Sequence, residues 1–370
     1  MAASAEDHRQ RFDEWLLHLD PFALDDLDVT ALAQRARQDG VSLPQLTFLT
    51  VIAETDEPFA ALRHGAGHAV SAERQTAQGG LLCTEANGRQ YVVGLWRSSM
   101  ERVHHIVASV PVTDNRWRRV EQTWLAGAAP RLAPVILNKH DFEDVGDALS
   151  EHGTVEVSRL TARVLKDNSS YTRGWQDKIA RRPTHRQAMA ETSDMLVRTV
   201  MLSVGDRLSV HLRRHAGATY YRGDYGLFCK VILRRLTSAA AARLKMLTGR
   251  ERHPSQPITE SLIMRLAESA LSTSKERTKL LETVSHISNV QVAVYHRNPY
   301  LHFAVTDYLD GSNLDVFVTE DDRVSLLPGY HASVGSLARI TDVIGEALGM
   351  IDLETEATDE LIADEEFFVG

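Results

Sequence analysis

The feature that most restricts the fold is a pair of short apolar runs, residues 81–85 and 90–96, separated by Asn87-Gly88. Asn-Gly tolerates the positive φ angles of a two-residue hairpin turn, and the flanking runs are rich in β-formers, so an antiparallel hairpin is predicted here. Similar runs predict a strand at 103–112, a helix at 115–125 with Trp117, Val120 and Trp124 on one face, a short strand at 135–137 and a helix at 142–149.

Residues 155–165 alternate apolar and polar side chains and slip one register near Arg159, which suits a bulge. A polar stretch covers 166–186. Strands are then predicted at 196–204, 207–214, 218–222 and 227–236, joined by Gly-containing turns and closed by a helix at 238–247. Past a linker around His253, Pro254 and Pro257, two amphipathic helices (258–271 and 275–287) precede strands at 290–295, 301–306, 314–319 and 324–327 and a helix at 332–348.

Strand meanders each followed by a helix therefore recur around residues 80, 200 and 290, without residue-level identity. This pattern predicts an α+β fold with antiparallel sheets and an N-terminal helical region. Five segments are expected. Residues 1–75 form an acidic helical region, with Phe12, Trp15, Leu16 and Leu19 at helical spacing, an apolar run at 46–52 and an irregular stretch at 60–77. Residues 76–155 form a hairpin-containing domain, 156–252 a basic β-rich domain, 258–350 helices plus an antiparallel sheet, and 351–370 an acidic disordered tail.

The 370-residue chain is 43% hydrophobic and 25% charged, an ordinary globular composition that needs no covalent staples. Its two cysteines, Cys83 and Cys229, both fall in predicted strands, which argues against a disulfide framework or thiolate zinc site and for a reducing compartment. The first residues lack a basic, apolar leader pattern, and no stretch reaches eighteen uninterrupted apolar residues. A cytoplasmic protein with no membrane partner is expected.

Charge points to the partner. Between Ser158 and Arg252 lie twenty Lys/Arg against seven Asp/Glu, whereas the whole chain has 41 against 50. A basic segment inside an acidic protein calls for a polyanion, and nucleic acid is the commonest. Alternation across 207–213 places Leu208, Val210 and Leu212 on one face and Arg207, Ser209, His211 and Arg213 on the other, where cations on a rigid sheet can meet phosphates. The candidate phosphate contacts are Arg173, Arg181, Arg182, Arg207, Arg213, Arg214, Arg222, Lys230, Arg234 and Arg235. Trp175, Lys178 and Arg186 extend the loop that carries the first three. Tyr220, Tyr221, Tyr225 and Phe228 could stack on bases or pack in the core. Without a recognition helix, shape or single-strand binding is favoured over sequence-specific duplex reading.

Other constellations fare worse. His64 and His68 have metal-helix spacing, but Gly65 and Gly67 disfavour the helix; His104 and His105 fall on opposite faces of a strand. Asp307, Asp310, Asp315, Glu320, Asp321 and Asp322 read mostly as turn residues. Phosphate-binding loops and serine-nucleophile elbows are missing. The sequence thus assigns no catalytic residue, metal or cofactor. It predicts a non-catalytic nucleic-acid-binding protein (DNA or RNA), acting as a subunit of a larger assembly. The alternatives are a protein-protein scaffold, or a metal-dependent nuclease or phosphodiesterase centred on Asp307 and Asp315. The acidic tail is read as a solubilising segment or, less favoured, as a mimic competing for the basic surface.

Overall fold

The computed structural model describes residues 4–25, 27–76, 78–86, 88–167, 169–175, 182–253 and 260–356. The chain forms two compact units, one of Met1–Arg163, Ser170–Ser193 and Val197–Ala242, the other of Val164–Ser169, Asp194–Leu196 and Arg243–Gly370. Both are α+β, built on antiparallel strand pairs.

The first unit opens with helices α1 (Ala5–His18), α2 (Pro21–Asp25) and α3 (Leu32–Gln38). A capping box fixes the start of α1: the Ser4 hydroxyl accepts from the Asp7 N–H, and the Asp7 carboxylate accepts from the Ser4 N–H. Strand β1 (Leu46–Ala53) is followed by α4 (Pro58–Ala66), β2 (Val70–Thr76), β3 (Gly79–Ala86), β4 (Arg89–Arg97) and β5 (Val103–Ala108). Next, α5 (Asn115–Arg119) runs through a π-helical turn into α6 (Leu125–Ala128), and β6 (Leu132–Pro134) and α7 (Lys139–Ser150) follow. The remaining elements are β7 (Val155–Val164), β8 (Ser170–Gly174), α8 (His185–Ala190), β9 (Met195–Val204), β10 (Leu208–Arg213), β11 (Gly217–Gly223) and α9 (Tyr225–Leu227). A second π-turn then leads into α10 (Arg234–Leu247), whose last residues belong to the second unit.

The strands make one sheet in the order β2-β3-β4-β5-β1-β11-β10-β9-β7-β8, with β6 also on β1. The predicted hairpin is β3 and β4, closed by the Ala86↔Arg89 pair with Gly88 at φ +72°; Asn87 lies outside the described residues. Strands from residues 76–155 and 156–252 share this sheet, joined where Leu46 pairs Tyr220 and Thr47 pairs Ala108. All eight residues of β1 are buried, so it reads as an apolar run without alternation. The face of β1 that carries Leu49 and Val51 packs on Trp117 and Trp124, both fully buried. Each ring removes ~150–250 Å² from water, or about 4–6 kcal/mol at ~25 cal/mol per Å². The opposite face carries Phe48, which meets Phe228 at 5.0 Å.

Several stretches differ from the sequence reading: the strand expected at 135–137 is irregular and preceded by β6, and β8 lies within the polar stretch 166–186. Residues 60–77, expected to be irregular, hold α4 and β2. Gly65 is there for packing, since a Cβ on it would lie 2.0 Å from the Trp124 carbonyl oxygen. Residues 227–236, expected as a strand, are helical, with Phe228, Ile232, Leu236 and Ala240 buried at a spacing of four. Within 258–271, expected as a helix, lies β12 (Ser261–Arg265), an interior strand between β16 and β17 that is buried at four of its five positions.

The second unit continues with α11 (Ser274–Ser285), β13 (Val290–His296), β14 (Leu301–Asp307), β15 (Ser312–Val318), β16 (Arg323–Pro328), α12 (Val334–Leu348) and β17 (Asp352–Glu356). Its sheet order is β13-β14-β15-β16-β12-β17. Strict alternation of buried and half-buried residues along β14 and β15 shows one face against the core. Part of the expected acidic tail is therefore strand β17; residues 357–370 lie outside the described residues.

Candidate nucleic-acid interface

The described candidate cations separate into four groups: a hairpin end, a helix, a buried pair, and Arg173 with Arg182. Arg207 and Arg222 sit at one end of the β10–β11 hairpin, where Leu208 pairs Gly223 and Ser209 pairs Arg222. Gly223, at φ +111°, makes the close approach possible: a Cβ there would sit 2.1 Å from the Arg207 carbonyl oxygen. The Asp224 N–H donates to that carbonyl at 2.6 Å, and the Asp224 carboxylate accepts from the Leu227 N–H at 2.9 Å, capping the helix. Arg207 donates to the His152 carbonyl at 3.1 Å and lies 4.0 Å from Asp224.

From this end the chain enters the helix, whose exposed positions Gly226, Lys230, Arg234 and Ser238 recur every four residues, with Arg235 beside them. The opposite stripe anchors the helix. Phe228 packs on Phe48, and His105 lies between the hydroxyls of Thr50 and Thr237, each 3.1 Å from a ring nitrogen. Arg222, Lys230, Arg234 and Arg235 form no ion pair among the described residues.

Arg213 and Arg214, predicted as phosphate contacts, are instead buried, at 8% and 3% exposure. The Arg213 guanidinium donates to the Glu121 carboxylate and, at 3.1 Å, to the Phe48 carbonyl, and lies 5.5 Å from the centre of the Trp117 ring. Arg214 donates to the Leu137 carbonyl at 3.1 Å. Alternation put Arg213 on the expected face, but that face is covered here. His211, on the same face, is pushed down to about 4 by burial and by the nearby Arg213 and Arg159 charges.

Arg173 is exposed on β8, paired to Glu191 and 5.1 Å from the Trp175 ring, and Arg182 is exposed shortly before α8. Lys178 and Arg181 lie outside the described residues. Strand β8 is three places from β10, about 14 Å at the usual spacing. Arg173 is thus set apart from the cations of β10. Arg186 is 80% exposed and paired with Asp147 at 2.9 Å.

Three of the four aromatic candidates are core. Tyr220, Tyr225 and Phe228 pack on one another at 5.3–5.8 Å, and the two phenols donate to the Gly223 and Val29 carbonyls. Only Tyr221 is half-buried. Sequence reasoning missed Arg159, exposed at the register slip of β7, although the slip itself was the signal. It also missed a cleft of about 300 Å³ lined by Asp56, Glu57, Glu101, Arg97, Arg102 and His104, where carboxylates outnumber guanidiniums.

The acidic residues do not assemble as a nuclease centre would require. Asp307 is fully buried and accepts from Ser336, from Arg339 and, at 3.0 Å, from the Leu309 N–H. Asp315 is on the other face of the sheet, 3.1 Å from His302. Among the described residues, no group of three or more His, Cys, Asp or Glu is placed to hold a metal ion, and no helix is long and apolar enough to cross a membrane. His64 and His68 are both exposed, on and just beyond α4.

The fold defines an α+β protein built on two antiparallel sheets. No family model matches the chain, and no curated protein matches it significantly.

Proposed function

We propose that this protein binds nucleic acid without catalysis, as a subunit of a larger assembly, and that phosphates are met by the helical stripe Lys230, Arg234 and Arg235 together with Arg222 and Arg207. The observation that carries this reading is that four of these cations form no ion pair among the described residues, in a chain of net charge −9 where carboxylates are plentiful. Cations left unpaired on a helix packed by its other face are already positioned for a polyanion, and each neutralised phosphate releases condensed counterions. The spacing suits backbone contact rather than base reading, because the stripe offers point charges without an exposed aromatic ring beside it. Fluorescence anisotropy with labelled single- and double-stranded oligonucleotides tests it. Submicromolar to micromolar binding that weakens steeply with salt supports the reading, and flat, weak binding at all salt concentrations rejects it.

A further inference from the structure

We propose that two copies of this chain pair through strand β13. The two sheets end in β2, β8, β13 and β17. Three of these end strands carry charge: Glu73 and Arg74 on β2, Arg173 on β8, and Asp352 and Glu354 on β17. Charged side chains on an edge oppose edge-to-edge association. Strand β13 reads Val-Gln-Val-Ala-Val-Tyr-His, with neither Asp, Glu, Lys or Arg nor a proline. An uncharged edge can meet its own copy without like-charge repulsion.

The exposed large apolar side chains concentrate at the same edge. Val294 and Tyr295 are 38% and 59% exposed at its C-terminal end. Tyr308 and Leu309 are 63% and 37% exposed at the other end, where the Tyr308 phenol donates to the Gln291 side chain and its N–H to the Asn289 carbonyl at 2.8 Å. A two-fold axis through an antiparallel β13 pair sets Tyr308 and Leu309 of one copy against Val294 and Tyr295 of the other, twice over. This is the self-complementarity that an isologous interface requires. A stable dimer buries about 800 Å² per copy. The strand alone falls short of that area, and the apolar side chains at its two ends extend the contact.

Sedimentation velocity of the full chain at about 1–50 µM tests the proposal, since the dimer fraction must follow concentration. The wild type is expected at twice the chain mass. Val294→Lys and Tyr295→Lys, each setting a charge against the apolar Tyr308 and Leu309 of the second copy, are expected to raise the dimer dissociation constant by roughly tenfold or more. Thr355→Lys on β17 is expected to leave the dimer intact. Far-UV circular dichroism reports whether each variant is folded, and concentration-dependent slowing of β13 amide exchange in the wild type gives a readout free of mutation. A wild-type monomer throughout, or a dimer that both folded lysine variants leave unchanged, overturns the proposal.

Discussion

The guanidinium of Arg213 closes on the carboxylate of Glu121, 92 residues earlier in the chain, with the Trp117 ring 5.5 Å away. A cation that the sequence places on a binding face is thereby a structural bolt between β10 and the helical stretch that starts at α5. Removing Glu121 strands a buried charge. Glu121→Ala is expected to destabilise the first unit by about 2–3 kcal/mol, read from urea denaturation, because loss of one partner leaves the other desolvated and unpaired. Arg213→Lys is expected to cost stability while leaving oligonucleotide affinity unchanged.

Burial holds Asp307 and Arg339 together in the same way. Asp307→Ala is expected to destabilise the second unit by about 3–5 kcal/mol, since the carboxylate is fully buried and accepts from Arg339, Ser336 and the Leu309 N–H. Asp315→Ala, on the half-buried face, is expected to cost under about 1 kcal/mol. Comparable losses for the two variants would contradict the separation of the two carboxylates onto opposite faces.

Three histidines make the fold acid-sensitive. Burial pushes His104, His105 and His211 down to about 4 from an ordinary value near 6.5. The unfolded chain therefore binds more protons between these values, and stability falls as pH drops from about 6.5 to 4. Asp13 acts in the opposite sense. Burial pushes its carboxyl up to about 7, against the hydrogen bond from Ser109, so the folded state holds the extra proton and stability falls as pH rises from about 4 to 7. With three groups against one, denaturation midpoints are expected to fall toward pH 4. Asp13→Asn is expected to steepen that fall, and His105→Gln to flatten it. Identical pH profiles for the two variants would contradict these assignments.

Helix α4 meets α6 with almost no space between backbones. Gly65→Ala would place a Cβ 2.0 Å from the Trp124 carbonyl oxygen, so a loss of about 1–3 kcal/mol or more is expected in thermal or chemical denaturation.

What the sequence disclosed, and what it hid, follows from burial. Half-buried elements carry a period, so strands β9, β10 and β14 to β16 and helices α7, α11 and α12 were legible, while the Asn-Gly turn disclosed the β3–β4 hairpin although β4 holds six consecutive buried residues. Elements covered on both sides lose that signal: β1, β12 and the helix through Phe228 are apolar runs that fit strand or helix equally. Charge clustering revealed the basic segment but not its division among a hairpin end, a helix and a buried pair. Alternation tells which face a side chain takes, whereas Glu121 and Trp117, which cover Arg213, come from a distant part of the chain. One local hint existed. Gly217 lies directly across from Arg213, where a Cβ would come within 2.5 Å of its Nη2, so the guanidinium lies flat over a residue with no side chain.

The decisive measurement is the salt dependence of oligonucleotide binding for the wild type beside Lys230→Ala/Arg234→Ala/Arg235→Ala, with a folded Arg213→Lys as reference. Three lost phosphate contacts are expected to lower the slope of log affinity against log salt by about 2–3 on duplex DNA, with the reference slope unchanged. An unaltered slope in the triple variant, or an equal drop in Arg213→Lys, would contradict the assignment of the helical stripe as the polyanion surface.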